Sequence, residues 1–140
     1  MNYLLDTNVI SELAAAKPNP KVIEWIESVD AERVFLSVIT IGELKKGIEK
    51  LSRSKRKESL NQWLEEDLLV RFEDHLLAID TETMLVWGAM NARLETAGRP
   101  IAAIDGLLAA IALQHGCTLV TRNAGHFEHT GTALFNPWED

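Results

Sequence analysis

Short apolar runs alternate with helical patterns along the whole chain, and this alternation restricts the fold more than any other feature. The runs are Tyr3-Leu4-Leu5, Val34-Phe35-Leu36, Leu76-Leu77-Ala78-Ile79, Thr118-Leu119-Val120 and a weaker Ala133-Leu134-Phe135. Continuous apolar runs of this length suit strands buried on both faces. Between them lie helical spacings. Val9, Ile10 and Leu13 share one face, and Asn19-Pro20 reads as an N-cap with proline at the first helical position, followed by Val22, Ile23 and Ile26. Ser37 or Thr40 opens a helix running to about Leu51, and Leu60, Trp63, Leu64 and Leu68 predict another over 56–72. Asp80 caps a helix that stops at Gly98, and Pro100 opens one ending at Gly116. Parallel strands joined by helical crossovers follow: an α/β fold, a three-layer α/β/α sandwich around a central mostly parallel sheet, expected as one domain over residues 1–140.

Several classes are excluded. Hydrophobic and charged fractions of 46% and 25% suit a globular protein and argue against disorder. No apolar run approaches the roughly 20 residues of a bilayer span, so no membrane association is expected. The chain enters its first apolar run without a basic n-region, and its one cysteine, Cys117, suits a reducing compartment, so a cytoplasmic location is expected. Glycine-rich nucleotide loops and the Gly-x-Ser-x-Gly nucleophile pattern are absent. The net charge of −7 hides an asymmetry: Lys45, Lys46, Lys50, Arg53, Lys55, Arg56 and Lys57 are half of the 14 basic residues, against the single acid Glu49 in that stretch. Such a strip is either a solvated face or a dock for a polyanion.

In parallel α/β sheets, ligands gather at the carboxyl ends of strands. Asp6 stands there in Leu4-Leu5-Asp6-Thr7-Asn8, as a helix cap or as a carboxylate for a cation. Glu43, in Thr40-Ile41-Gly42-Glu43, fits a capping box or a second acid on the same rim. Asp105 is the one ionisable residue in an otherwise apolar stretch from Ile101 to Leu113. If that helix is buried, the carboxylate needs an arginine such as Arg122, a metal or a catalytic role. Thr121-Arg122-Asn123 follows the last clear strand, and Asn123 is either a turn residue or an oxygen donor. Oxygen donors without a histidine or cysteine cluster select Mg²⁺ or Mn²⁺ over zinc; His126-x-x-His129 lacks further soft ligands and reads as a polar loop. An acidic metal pocket on an α/β sheet points to phosphoryl or phosphodiester chemistry, with Lys45, Lys46 and Lys50 placed to hold flanking phosphates.

Four segments in this order, Leu-Leu-Asp6-Thr-Asn-Val-Ile-Ser, Thr-Ile-Gly-Glu43-Leu, Ile-Asp105-Gly-Leu-Leu-Ala-Ala-Ile-Ala and Val-Thr-Arg-Asn123, resemble PIN-domain proteins. More narrowly, with Phe127 and the closing Phe135-Asn136-Pro137-Trp138, they resemble VapC-type toxins of bacterial toxin–antitoxin pairs, near the FitB-like branch. The resemblance covers essentially the whole chain. It implies a Mg²⁺- or Mn²⁺-dependent endoribonuclease with catalytic Asp6, Glu43, Asp105 and Asn123, the first three also metal ligands, and a supporting Thr7. Asn123 falls where aspartate is common in that branch, and His126 where many relatives carry aspartate. The implied partners are an RNA substrate, a second copy in a homodimer, and an antitoxin whose peptide crosses the active-site groove in a larger heteromer; operator DNA is met only through the antitoxin. Two other readings stand beside this one. A PIN-like protein that binds metal or a partner without catalysis draws support from Asn123, whereas a receiver-like phosphoacceptor lacks paired acids after the first strand and any lysine beyond Lys57.

Overall fold

The computed structural model describes residues 1–139 of the chain. Strand β1 (Asn2–Leu5) leads into α1 (Thr7–Leu13) and α2 (Pro20–Ser28), then β2 (Val34–Ser37) and α3 (Val38–Glu49). A nearly continuous helical arm follows: α4 (Lys55–Gln62), a π-helical segment Trp63–Leu68 and α5 (Leu69–Arg71). The short β3 (Leu76–Leu77), α6 (Thr81–Thr96), α7 (Ala103–His115), β4 (Cys117–Val120) and β5 (Leu134–Phe135) complete the elements that set the fold. All neighbouring strands pair in parallel, in the order β3-β2-β1-β4-β5. The expected three-layer sandwich is therefore present, with every strand ending on one rim. Among the described residues no helix is long and apolar enough to cross a membrane.

The two faces of the sheet follow from the two-residue period of its strands. Leu4 and Leu119 point to one side and pack with Met90, Leu94, Leu108 and Ile111 of α6 and α7. Leu5 and Val120 point to the other, against Val9, Val22, Ile48, Leu64 and Leu68. Each of these leucines removed from water contributes about 1.5–3 kcal/mol. Helix ends match the local chemistry. The Asn19 side chain accepts from the Lys21 N–H at 2.9 Å, and Asp80 and Thr83 form a reciprocal capping box. Gly98 (φ +72°) and Gly116 (φ +64°) take the left-handed turns that close α6 and α7.

Three local expectations are corrected. Helix α7 starts at Ala103 rather than Pro100, because the Arg99 N–H is already used to close α6 through the Leu94 carbonyl at 2.8 Å. Strand β3 stops at Leu77, since its partner β2 ends at Ser37, opposite Leu77, leaving no ladder for Ala78 and Ile79. Ser37, not Thr40, caps α3, accepting from the Thr40 N–H at 3.3 Å. Thr40 itself is fully buried inside the helix, so no capping box forms with Glu43.

Helices α6 and α7 meet closely at Gly106, where an added Cβ would lie 3.2 Å from Trp87 Nε1 and 3.3 Å from Asn91 Nδ2. We expect Gly106→Val to push these helices apart at an overpacking cost of about 1–3 kcal/mol. Thermal unfolding followed by circular dichroism should show a Tm lower by roughly 5 °C.

Candidate acidic site at the strand ends

The site begins with Asp6, the residue that leaves β1. Its N–H donates to the Val120 carbonyl at 2.9 Å, so the ladder between β1 and β4 runs one residue past the strand and fixes the Asp6 backbone. The side chain is then held from two sides. Oδ1 accepts from the Thr7 N–H at 2.7 Å, capping α1, while Oδ2 accepts from the Thr121 hydroxyl at 2.8 Å. Asn8 connects the same two loops, donating to the Thr121 hydroxyl at 3.3 Å and accepting from the Arg122 N–H at 3.2 Å.

Glu43 arrives from α3, one turn and a half beyond its cap, and its Oε1 accepts from the Thr7 hydroxyl at 2.5 Å. Thr7 thus ties the first acid's loop to the second acid's helix and lies 3.2 Å from the buried Thr40 hydroxyl. Asp105 lies in the first turn of α7, where the helix dipole favours a carboxylate. A helix apolar on every side predicts a buried carboxylate, but the Asp105 side chain is 36% exposed, because α7 points its first turn at the open rim. Among the described residues no arginine pairs with it, and its ionic neighbour is His126, Nδ1 to Oδ2 at 4.0 Å. Asn123 follows β4, with its N–H bound to the Thr121 hydroxyl at 3.0 Å and its side-chain amide without a hydrogen-bond partner among the described residues.

Asp6, Thr7, Glu43, Asp105 and Asn123 all line one open cavity of about 530 Å³. A second cavity, of about 360 Å³ between α1, α2 and the helical arm, is lined mostly by apolar side chains and holds none of them. Lys45, Lys46 and Lys50 lie outside the acidic cavity. Lys45 is engaged with Glu49 at 3.1 Å and Asn61 at 2.8 Å, whereas Lys46 and Lys50 are exposed at i+3 and i+7 from Glu43.

Electrostatics set what this cavity can hold. Burial raises the Asp6 pKa above its ordinary value, and the nearby Glu43 and Asp105 charges add to the rise; the bonds from Thr121 and Thr7 oppose it. Carboxylates that repel one another around an oxygen-lined cavity fit a hard dication. Among the described residues no three His, Cys, Asp or Glu side chains form a ready cage. Mg²⁺ needs none, since it commonly binds one or two carboxylates and keeps several waters.

Five residues here hold places that the sequence alone does not signal. Thr121 sits in the quoted Thr-Arg-Asn segment, and its buried hydroxyl is visible only once β4 lies beside β1. Glu12 and Trp138 join across 126 positions, Nε1 donating to Oε1 at 3.2 Å, and Arg122 stands 5.3 Å from the Trp138 ring. His126, a polar-loop residue by its sequence, stands beside Asp105.

A PIN domain model matches residues 3–132. The chain is 41% identical over 137 residues to Toxin FitB of Neisseria gonorrhoeae, covering 98% of this chain and 99% of that protein. It is 36% identical over 136 residues to a VapC ribonuclease of Sinorhizobium fredii, covering 97% of each. The crystal structure of FitAcB from Neisseria gonorrhoeae superposes with a TM-score of 0.94 at 40% identity, covering 99% of both chains.

The raised Asp6 pKa has a definite sign in stability. A carboxyl whose pKa rises on folding contributes stability that is complete below its unfolded value, about 3.9, and is lost as pH climbs through the folded value. In EDTA, Asp6→Asn should therefore match wild type in Tm at acidic pH and exceed it near neutrality. A Tm difference that stays constant across the pH series would contradict this account.

Proposed function

The chain belongs to the PIN-domain family, and from that premise we propose that it is the ribonuclease toxin of a bacterial toxin–antitoxin pair, cutting RNA phosphodiester bonds at the acidic rim. One observation carries the reading: Asp6, Glu43, Asp105 and Asn123 come from four separate places in the chain and line one cavity at the strand ends. Relatives named as a toxin and as a VapC ribonuclease, matched over nearly their full length, support it.

Asp6 and Asp105, with Glu43, would hold a Mg²⁺ or Mn²⁺ ion, which when bound lowers the pKa of an attacking water and neutralises charge developing on the phosphate. The chain's own residues do the positioning. Thr7 and Thr121 fix both oxygens of Asp6, and the Thr7 hydroxyl orients Glu43 from the same turn. The Asn123 side chain is left free to offer its carbonyl oxygen on the β4 side. Attack by water rather than by the ribose 2′-hydroxyl leaves a 5′-phosphate and a 3′-hydroxyl. Lys46 and Lys50 continue the Glu43 face of α3 for about 10 Å, at 1.5 Å per residue, and receive flanking RNA phosphates. The protein works in the bacterial cytoplasm as a homodimer. An antitoxin covers the acidic groove, forming a larger heteromer, and contact with operator DNA runs through the antitoxin alone.

Purified protein incubated with RNA and Mn²⁺ should yield 5′-phosphorylated fragments, and EDTA should stop the reaction. Asp6→Asn and Asp105→Asn should each lower cleavage by at least about a hundredfold while keeping a cooperative melt. Cleavage retained in both variants would sink the assignment, and binding without cleavage by wild type would leave an RNA-binding protein instead. In filter binding, Lys46→Glu and Lys50→Glu should weaken RNA affinity and flatten its salt dependence more than Lys45→Glu, whose charge is already paired.

A further inference from the structure

The acidic cavity is lined by one cation that no carboxylate neutralises among the described residues. Among the described residues lining it, Arg122 is the only Lys, Arg or His, and Asp6, Glu12, Glu43 and Asp105 line the same space. Its guanidinium nevertheless pairs with no carboxylate and donates no hydrogen bond among those residues, leaving all five N–H donors unspent. Glu12, the acid that could have neutralised it, is committed elsewhere: Oε1 accepts from Trp138 Nε1 and Oε2 from the Asn19 N–H, both at 3.2 Å.

The backbone and ring contacts of Arg122 are, by contrast, fully specified. The Asn8 side chain receives its N–H at 3.2 Å, and the Asn136 side chain donates to its carbonyl at 3.2 Å. The guanidinium carbon lies 5.3 Å from the centre of the Trp138 ring, within cation–π range. Trp138 is itself secured, through its own N–H to Asn136 Oδ1 at 2.9 Å and its indole N–H to Glu12. A planar cation held on an aromatic platform, with its fork free, is a receptor for a bidentate oxyanion.

Its place in the sheet identifies that oxyanion. Strands run in the order β2-β1-β4, so the α3 lysines follow one neighbour of β1 and Arg122 follows the other. At about 4.8 Å per strand, the two flanks stand roughly 10 Å apart across Asp6. A polyanion laid over the rim meets Lys46 and Lys50, then the acids, then Arg122. We propose that Arg122 is a phosphate-binding residue for single-stranded RNA, holding a non-scissile phosphate on the β4 side of Asp6, with Trp138 and Asn136 as positioning residues. This rests on the nuclease reading above and extends it to the direction in which the substrate crosses the site.

The test uses the full chain and a fluorescein-labelled single-stranded RNA of mixed sequence, with anisotropy read in EDTA over a salt series and kcat and KM read in Mn²⁺. Arg122→Ala should raise Kd about tenfold and reduce the slope of log K against log salt by about 0.7, the loss of one phosphate contact on a single strand. KM should rise more than kcat falls. Arg122→Lys should keep the slope but not the full affinity, and Trp138→Leu should raise Kd with the slope unchanged, which a purely structural role would not produce. If Arg122→Ala does not melt cooperatively, Arg122→Gln read against Arg122→Lys gives the same comparison. Wild-type Kd and slope in folded Arg122→Ala, beside a wild type that binds and cleaves RNA, would overturn this proposal alone; a wild type that does neither overturns it together with the nuclease reading. Displacement of RNA by polyglutamate through Arg122 would reassign the side chain to an acidic peptide and likewise overturn it.

Discussion

The site depends on the pairing of β1 with β4 beyond the last strand residue. The Asp6 N–H bound to the Val120 carbonyl and the Asp6 carboxylate bound to the Thr121 hydroxyl join the two strand ends at one point. With that junction in place, Asn8 can reach Arg122 and Asn123 stands over the same cavity as Thr7. Glu43 and Asp105 are then brought in by helices packed on opposite faces of the sheet. No loop conformation has to be stabilised independently, because each acid leaves a strand end or an early helical turn.

Such an arrangement is expensive in the absence of a counter-charge. Asp6 is buried and faces two further carboxylates; burial above all, and then those two charges, hold its pKa above the ordinary value. The single cation in the cavity does not relieve it, since Arg122 is turned onto Trp138 rather than onto an acid. Stability and function therefore oppose one another at Asp6. A neutral amide there suits the metal-free fold and removes the charge that a dication requires.

Much of this was legible in the sequence, and for a physical reason. Leu4-Leu5 before Asp6 and Leu119-Val120 before Thr121 are buried on both faces, a pattern that specifies parallel strands and hence the rim where polar residues gather. Strong caps at Asn19 and Asp80 mark two helix starts, and Ser37 is one of two candidates for a third. What could not be read was geometry across long separations. Asp105 looked buried because its helix is apolar on every side, yet a helix's first turn can face solvent while its middle is enclosed. Arg122, a candidate partner for Asp105, instead lies against Trp138, whose own bond to Glu12 crosses 126 positions. His126 beside Asp105 depends on a turn anchored by the buried Phe127 and carries no periodic signal.

The strand order carries a consequence for how the chain comes into being. Of the five strands of this sheet the central one, β1, is made first, and its partner β4 begins only at Cys117. Until then β1 can pair on one edge alone, and Asp6 has neither the Val120 carbonyl nor the Thr121 hydroxyl to hold it. Contacts of such sequence separation form late, after the loop-closure entropy has been met. A ribosome-bound chain thus acquires its acidic pocket only after β4 has appeared, long after β1 and the helices that carry Glu43 and Asp105.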